Sequence, residues 1–268
     1  MARQLTSPAE AAIMIDERIF GGADLRGLHS GDLRLVAEEG KEPQDIEADL
    51  ATAVRLCHAS LGFEHGGFTS SMRRELYQEW ISANSQSILL ITPTFGKARG
   101  QAVGVTIVLP VKPHGIQFIQ SRHGGVLKLN RSHIFDSNRK EIRTLLVDTL
   151  LLDDKWISAY GTLALKALFQ HVAMFYNPRY WNTTEIYCSV YQAGLIGRSL
   201  TRMRKLITKR GFAEIGKTAE GETLFRLPVA VLRADPQLKE RYNLYTPLVR
   251  RYAEIWNECR TRRDQTDP

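Results

Sequence analysis

One residue whose type and position could do chemistry is Asp148, a carboxylate inside a run of apolar residues. The run extends from Thr144 to Leu152 and reads TLLVDTLLL. A carboxylate is costly to bury in such a segment unless it is paired or performs a function. Two interpretations stay open: Asp148 is a general base that takes a proton from an amine, or it is a structural partner of a buried arginine or a backbone donor.

A second candidate site directly follows this run. Asp153-Asp154-Lys155 breaks the apolar pattern, the small residues Ser158, Ala159 and Gly161 come next, and a segment rich in Ala and Leu begins at Thr162. This order predicts a strand buried on both faces, a small-residue turn and a buried helix. Such a turn leaves backbone N–H groups at a helix N-terminus without partners, which makes it a ready phosphate site. A plain strand-to-helix connection is the alternative.

The cysteines and histidines do not predict a metal centre. Cys57, Cys188 and Cys259 lie far apart and form no CxxC pair, so we expect neither a zinc site nor a disulfide framework. The three histidines of the segment 110–140, His114, His123 and His133, show no metal-ligand spacing. Cys188 is expected to be a small core residue, because a nucleophilic cysteine needs a paired histidine and the spacing supplies none.

Length and composition are those of a soluble globular protein. The 268 residues suffice for one large domain or two small ones, with 43% hydrophobic and 24% charged residues. No apolar run approaches the ~20 residues needed to cross a bilayer. The first twenty residues lack the apolar core of a signal peptide. We therefore expect no membrane span and a cytoplasmic location.

The charge balance favours acidic partners. The formal net charge is +7, and the segment Gln192–Arg210 contains six basic residues and no acidic one. Such a balance suits a phosphate-bearing cofactor, an acidic acyl carrier protein or nucleic acid. A merely solvated surface is the alternative. No zinc-finger spacing or other nucleic-acid module is recognisable, so a nucleic-acid partner is not expected.

The elements that must position these residues follow from hydrophobic periodicity and turn signals. Proline, glycine and Ser/Thr signals delimit most of them. A less regular excursion, predicted as a β-hairpin plus a short helix, separates the early strands from the apolar run. The predicted elements are a strand at 32–38, helices at 43–62 and 72–83, strands at 87–94 and 101–109, the excursion at 110–140, the apolar strand and helix, a strand at 185–191, a basic helix at 192–210 and a hairpin at 212–229.

This order of elements resembles the GNAT superfamily of N-acyltransferases over residues 32–229. The most specific parts are the core strand that leads into a glycine-containing turn and helix, and KRGF at Lys209–Phe212, where the family commonly has a similar Gly-Phe. The resemblance implies a mixed α/β fold with a GNAT-like central mixed sheet flanked by helices. Residues 32–230 would form this domain, with helical extensions at 1–31 and 231–268.

The resemblance also implies a donor site. In the family a V-shaped gap opens between the core strand and the next parallel strand, and it holds the pantetheine arm of acyl-CoA. The pyrophosphate lies on the turn that follows the core strand. In this chain the pantetheine would pair with the backbone of Leu150, Leu151 and Leu152. The turn would comprise Trp156, Ala159, Tyr160, Gly161 and Thr162, the last four donating N–H groups.

Two departures from the family pattern affect the chemistry. The family loop usually reads Gln or Arg, two residues, Gly, one residue, then Gly or Ala, and this chain has Trp156, Ala159 and Gly161 there. Many members also carry a tyrosine as general acid where this chain has Ile207, which cannot donate a proton. Tyr191 and Ser189 share one face of the neighbouring strand, because side chains alternate with period two. If that face borders the gap, Tyr191 protonates the leaving thiolate; a buried structural tyrosine is the alternative.

The resemblance implies transfer of an acyl group from an acyl thioester to an amine by direct attack, without a metal. The donor would be acyl-CoA or an acyl carrier protein, and the acceptor a small-molecule amine or a protein amine. Asp148, Ser189 and Tyr191 are the candidate catalytic residues. The alternative is a GNAT-like module without catalysis that binds acyl-CoA or docks a partner protein.

Overall fold

The computed structural model describes residues 33–38, 40–61, 69–136, 142–175, 184–190, 208 and 212–228, and the description of the fold concerns these residues. Tyr191, most of the predicted basic helix and the two predicted terminal extensions lie outside them. The domain boundaries therefore remain predictions.

The core of the fold is one seven-stranded mixed sheet. Its strand order is β1-β2-β3-β4-β5-β7-β6. Neighbouring strands are antiparallel except for β4 and β5, which are parallel. The mixed α/β prediction is confirmed. The strands are β1 Leu33–Leu35, β2 Ile88–Ile91, β3 Gly104–Pro110, β4 Thr144–Leu152, β5 Glu185–Val190, β6 Ala213–Lys217 and β7 Thr223–Pro228.

Four α-helices flank the described part of the sheet: α1 Pro43–Leu61, α2 Ser70–Ala83, α3 Pro113–Gln120 and α4 Ile157–Met174. Their starts follow from local chemistry. Proline opens α1 and α3, where its missing N–H costs nothing. The Thr69 hydroxyl accepts the N–H of Met72 at 3.2 Å and caps α2, as the sequence predicts.

The sheet is covered on both faces. On one face lie α1, α2 and the segment between β3 and β4, whose buried residues form one cluster with Leu146 and Tyr187. On the other face lies α4, which packs through Leu163, Ala164 and Ala167. This double coverage explains why β2 and β3 are buried throughout.

The segment between β3 and β4, which we call the insertion, differs from its prediction. The predicted β-hairpin is wrong for its described part, 111–136: after α3 come two 3-10 turns, Val126–Lys128 and Arg131–His133, and the only bridge joins Val111 to Ile134. Besides internal bonds such as that from Lys112 N–H to His133 O, at 2.8 Å, the insertion bonds to residues outside it. Leu129 O accepts from Trp80 Nε1 at 2.8 Å, and Phe135 O accepts from Asn84 Nδ2 at 3.2 Å.

Helix α4 begins earlier than the sequence predicts. It starts at Ile157 rather than Thr162, after a 3-10 turn at Asp154–Trp156. Ser158 and Ala159 contain nothing that stops a helix. Asp153 ends the strand and initiates the turn: its carbonyl accepts the N–H of Trp156 at 2.8 Å, and its carboxylate accepts the N–H of Lys155 at 3.3 Å.

In the described part of the chain, no helix combines the length and the apolar character needed to span a bilayer.

Candidate functional site

The parallel strands β4 and β5 separate partway along their length, and we call this opening the fork. They pair only between Thr144–Val147 and Glu185–Cys188. Beyond this point β4 continues to Leu152 and β5 to Val190 without pairing to each other. The described residues thus leave the β5-facing backbone edge of β4 open from Asp148 onward. This is the V-shaped gap that the resemblance implies.

Asp148 occupies a β-bulge at the apex of the fork. Val147 pairs with Val108 and Thr149 pairs with Ile107, so Asp148 is an extra residue with no partner position on β3. A bulge redirects side chains and leaves local backbone groups outside the regular ladder. Bulges of this kind are frequent next to active sites.

The bulge shifts the alternation of β4 by one residue. Leu145 and Val147 precede it and pack on the α4 face, in the cluster with Val172. Leu150 and Leu152 follow it and pack on that same face. Without the extra residue these two pairs would face opposite sides, since strand side chains alternate with period two.

The first residue of each strand beyond the fork is polar: Asp148 on β4 and Ser189 on β5. Both side chains are half-buried. The Asp148 carboxylate accepts a hydrogen bond from Thr149 Oγ1 at 2.8 Å. The structure therefore brings these two predicted residues to one place. Tyr191 lies outside the described residues.

Three further polar side chains lie close enough to Asp148 to be affected by its charge: Cys57 of α1, and Arg73 and Tyr77 of α2. Cys57 and Tyr77 are fully buried and Arg73 is 1% exposed. Burial lowers the pKa of Arg73 more than any other cause, yet Tyr77, Cys57 and Asp148 together raise that pKa above its ordinary value. Burial also raises the pKa of Tyr77 well above its usual range, and the charge of Asp148 adds to this.

Neither described cysteine is suited to act as a nucleophile. Burial raises the pKa of the Cys57 thiol to about 11. Burial likewise raises the pKa of Cys188 to about 12. Since the thiolate is the reactive form, both groups stay inert near neutral pH. Cys188 packs with Val190 and Phe225 as a small core residue, as expected.

The predicted donor-binding leucines lie along the open edge of β4. Leu150, Leu151 and Leu152 pair with β3 on one side. Their side chains are half-buried, with Leu150 and Leu152 on the α4 face and Leu151 packed against the opposite cluster. Their roles in binding remain predictions.

At the mouth of the fork, aromatic residues join the start of α4 to the β2–β3 loop. The Tyr160 hydroxyl donates to Phe95 O at 3.1 Å and accepts the N–H of Ala98 at 3.2 Å. The Trp156 and Tyr160 rings meet edge to face at 5.7 Å, and Lys155 Nζ lies 5.7 Å from the centre of the Trp156 ring. Tyr160 is 3% exposed, so its side chain anchors the helix.

The predicted phosphate donors lie inside α4 rather than in a turn. Ala159 belongs to the first helical turn, where backbone N–H groups have no partner within the helix, whereas the N–H of Tyr160 already bonds within the helix. Gly161 and Thr162 follow in the next turn, where such groups bond within the helix. The Asp153 carboxylate stands at the same end and pairs with Lys155 Nζ at 3.3 Å.

Sequence reasoning missed Arg73, Tyr77 and Cys57. A signal did exist: Arg73 and Tyr77 are spaced i, i+4 on the inward face of α2, beside Leu76 and Trp80. A buried arginine at such a position requires a counter-charge or a function. The sequence does not show that Asp148 is one of the charges near Arg73, because this depends on how α2 packs in the tertiary structure.

Several solved structures align with the chain at low similarity. PH1933 from Pyrococcus horikoshii OT3 aligns with a TM-score of 0.43 and 13% identity, over 73% of this chain and 98% of that one. Ard1 from Thermoplasma volcanium gives 0.38 and 11%, over 73% and 95%. The GNAT-like decarboxylase GphF, in complex with isobutyryl-CoA, gives 0.41 and 14%, over 73% and 98%. No model of a protein family and no curated protein sequence matches the chain.

Proposed function

We propose that this chain transfers an acyl group from a thioester to an amine, with the donor bound in the fork. The observation that carries the proposal is the open edge of β4 from Asp148 to Leu152. Backbone N–H and C=O groups at such an edge need partners. An extended ligand that contains amides, such as a pantetheine arm, can supply them by adding to the sheet like a strand.

The proposed donor is acyl-CoA or an acyl carrier protein, since both present a pantetheine thioester. Free N–H groups in the first turn of α4 and the Lys155 ammonium favour a phosphate at the mouth of the fork. The Asp153 carboxylate opposes it, because it lies at the same helix end. These opposing charges favour a phosphate group that binds with moderate affinity, next to a pantetheine arm that pairs with β4.

The proposed reaction is direct attack of the amine nitrogen on the thioester carbon. The C–N bond forms, the carbonyl electrons move to oxygen, and collapse of the tetrahedral intermediate breaks the C–S bond. Asp148, at the apex, takes the proton that the amine loses. Ser189 orients the acceptor from the facing strand. Tyr191 is proposed to protonate the leaving thiolate, and backbone N–H groups at the bulge stabilise the oxyanion.

Release of free thiol tests the proposal. Acyl-CoAs of several chain lengths and an acyl carrier protein are incubated with a panel of small amines and amine-bearing peptides. Asp148→Asn should lower the rate by about 10²- to 10⁴-fold, in the range of general-base effects. It should also remove the titration of a carboxylate from the pH–rate profile. Asp136→Asn, at an exposed position of the insertion, serves as the matched control.

One outcome contradicts the proposed acyl transfer, and another contradicts only the role of Asp148. If acyl-CoA binds but no thioester yields thiol with any amine, the chain is a binding module without catalysis. If thiol is released and Asp148→Asn behaves like Asp136→Asn, acyl transfer stands and Asp148 has a structural role.

A further inference from the structure

The loop between β2 and β3 carries an exposed aromatic ring and two exposed cations at the mouth of the fork. Phe95 is 44% exposed, and the side chains of Lys97 and Arg99 are exposed on the same loop. We call these three residues the loop surface. The loop lies at the end of the sheet where β4 stops, because Gly104, which follows the loop, pairs with Leu152.

Several contacts hold this loop in place against the start of α4. The Tyr160 hydroxyl bonds to two backbone groups of the loop. Gly96 has a φ of +72°, and a Cβ at this position would come within 2.6 Å of Tyr160 Oη, so both its conformation and its surroundings require glycine. Gly100 N–H donates to Pro93 O at 2.7 Å and closes the loop. The Phe95 ring therefore needs little ordering when a ligand binds to it.

Positive charge predominates around the loop surface. In the loop and the start of α4, the basic side chains are those of Lys97, Arg99 and Lys155, and the acidic side chains are those of Asp153 and Asp154. Asp153 pairs with Lys155 Nζ at 3.3 Å, so these two charges offset each other. Two cations then face one carboxylate, that of Asp154, and this excess favours an anionic ligand.

We propose that the loop surface binds the adenosine 3′-phosphate part of CoA, with the adenine ring stacked on Phe95 and the 3′-phosphate paired with Lys97 and Arg99. The inference rests on the proposed acyl transfer and selects CoA, rather than an acyl carrier protein, as the donor. Aromatic side chains stack on nucleobases, and Lys and Arg bind phosphate through charge-assisted hydrogen bonds. A carrier protein presents the same pantetheine arm but no nucleotide, so it cannot use this surface in the same way.

The order of groups along CoA matches the order of features at the mouth of the fork. The pantetheine arm would pair with the open edge of β4 from Asp148 to Leu152. The diphosphate would follow at the start of α4, next to Lys155. The Phe95 and Trp156 rings lie on either part of this junction, with centroids 5.6 Å and 5.7 Å from that of Tyr160. The loop surface is therefore adjacent to the proposed diphosphate position.

Titration calorimetry of the intact chain with CoA and with 4′-phosphopantetheine, which lacks the nucleotide, tests the stacking contact. Phe95→Ala should weaken CoA binding by about 10- to 100-fold, in the range for loss of one base stack, and leave 4′-phosphopantetheine binding unchanged. Phe95→Trp should restore CoA binding, because an indole ring also stacks on adenine. Met72→Ala is the matched control: Met72 is 45% exposed on α2, and its loss should change neither affinity.

A comparison of CoA with 3′-dephospho-CoA tests the phosphate contact. At low salt the wild type should bind CoA about 5- to 20-fold more tightly, since each exposed charge pair contributes modestly. Lys97→Gln/Arg99→Gln should bind both ligands equally, and added salt should reduce the wild-type difference. Lys128→Gln/Arg131→Gln removes one lysine and one arginine from exposed positions of the insertion and should keep that difference.

The outcomes separate this inference from the proposed acyl transfer. A wild type that binds CoA no more tightly than 4′-phosphopantetheine, or that binds neither, overturns the nucleotide site. An equal loss of affinity for both ligands in Phe95→Ala also overturns it, because the ring then supports the fork rather than the adenine. If Lys97→Gln/Arg99→Gln weakens binding of an acyl carrier protein but not of CoA, the loop surface docks the carrier and the inference is wrong. Acyl transfer fails separately, when no pantetheine thioester yields thiol with any amine.

Discussion

At the scale of single residues, His171 of α4 is a tightly held ionisable side chain outside the fork. It is fully buried, its Nε2 donates to Gln86 O at 2.6 Å, and its Nδ1 accepts from Thr106 Oγ1 at 2.6 Å. These two bonds connect α4 to β3 and to the turn before β2. They also require the neutral ring, with the proton on Nε2.

His171 predicts a loss of stability in mild acid. Burial lowers its pKa from 6.5 to about 4, although the bond to Gln86 opposes this. The unfolded chain therefore binds a proton between these pH values while the folded chain does not. As pH falls from 6.5 to 4, the free energy of unfolding should decrease by about 3 kcal/mol from this residue alone.

Urea unfolding at several pH values checks this prediction. His171→Gln keeps one donor and one acceptor but cannot titrate. The decrease in the free energy of unfolding that residue 171 causes in mild acid should therefore vanish. His123→Gln, at an exposed position, is the control and should keep it. Equal pH dependence in the wild type and His171→Gln would contradict the assignment.

At the scale of elements, Lys41 links the edge strand β1 to helix α1 through hydrogen bonds and an ion pair. Its ammonium donates to Leu35 O at 2.9 Å and to Val36 O at 3.1 Å, and it pairs with Asp49 of α1. Arg34 pairs with the same carboxylate at 2.8 Å from a more exposed position. The edge strand has only three residues, so these hydrogen bonds and ion pairs are a large part of the interactions that hold it against α1.

Lys41→Met should lower the free energy of unfolding by about 2–4 kcal/mol, because it leaves two carbonyls and a nearly buried carboxylate with fewer donors. Arg34→Met is the comparison within the same network. Its side chain is 45% exposed, so its pair is worth about 1 kcal/mol or less. Equal losses in the two variants, measured by urea unfolding, would show that burial does not govern this network.

At the scale of the whole molecule, the net charge of +7 favours an acidic partner. Each Arg or Lys reversal to Glu changes the formal charge by two, so reversing Arg202, Arg204 and Lys205 takes it from +7 to +1. If the basic segment docks an acidic acyl carrier protein, this variant should bind that protein about 10- to 100-fold more slowly at low salt. The difference should shrink as salt screens the charges.

The control reverses three exposed basic residues of the insertion: Arg122, Lys128 and Arg131. It makes the same change in net charge at another place. Stopped-flow association across a salt series compares the two variants. Equal loss in both would show that overall charge, rather than the segment from Gln192 to Arg210, attracts the partner.

The amino-acid sequence by itself determined the elements whose signals are local. The apolar run predicts β4 with the bounds that the structure has, Thr144–Leu152. Proline, Thr69 and glycine signals predict α1 and α2 nearly to the residue. These predictions succeed because periodicity, capping and turn chemistry act between residues a few positions apart.

Only the tertiary structure decided what surrounds Asp148. The sequence marks this carboxylate as unusual, but the bulge depends on pairing with β3, some forty residues earlier in the chain. The same holds for Arg73 and Tyr77, which come within electrostatic range of Asp148 because α2 packs in the cluster that covers this face of the sheet. It holds also for the insertion, which bonds to Trp80 of α2 through the Leu129 carbonyl. These arrangements arise from side-chain packing between distant segments, and local sequence patterns do not encode it.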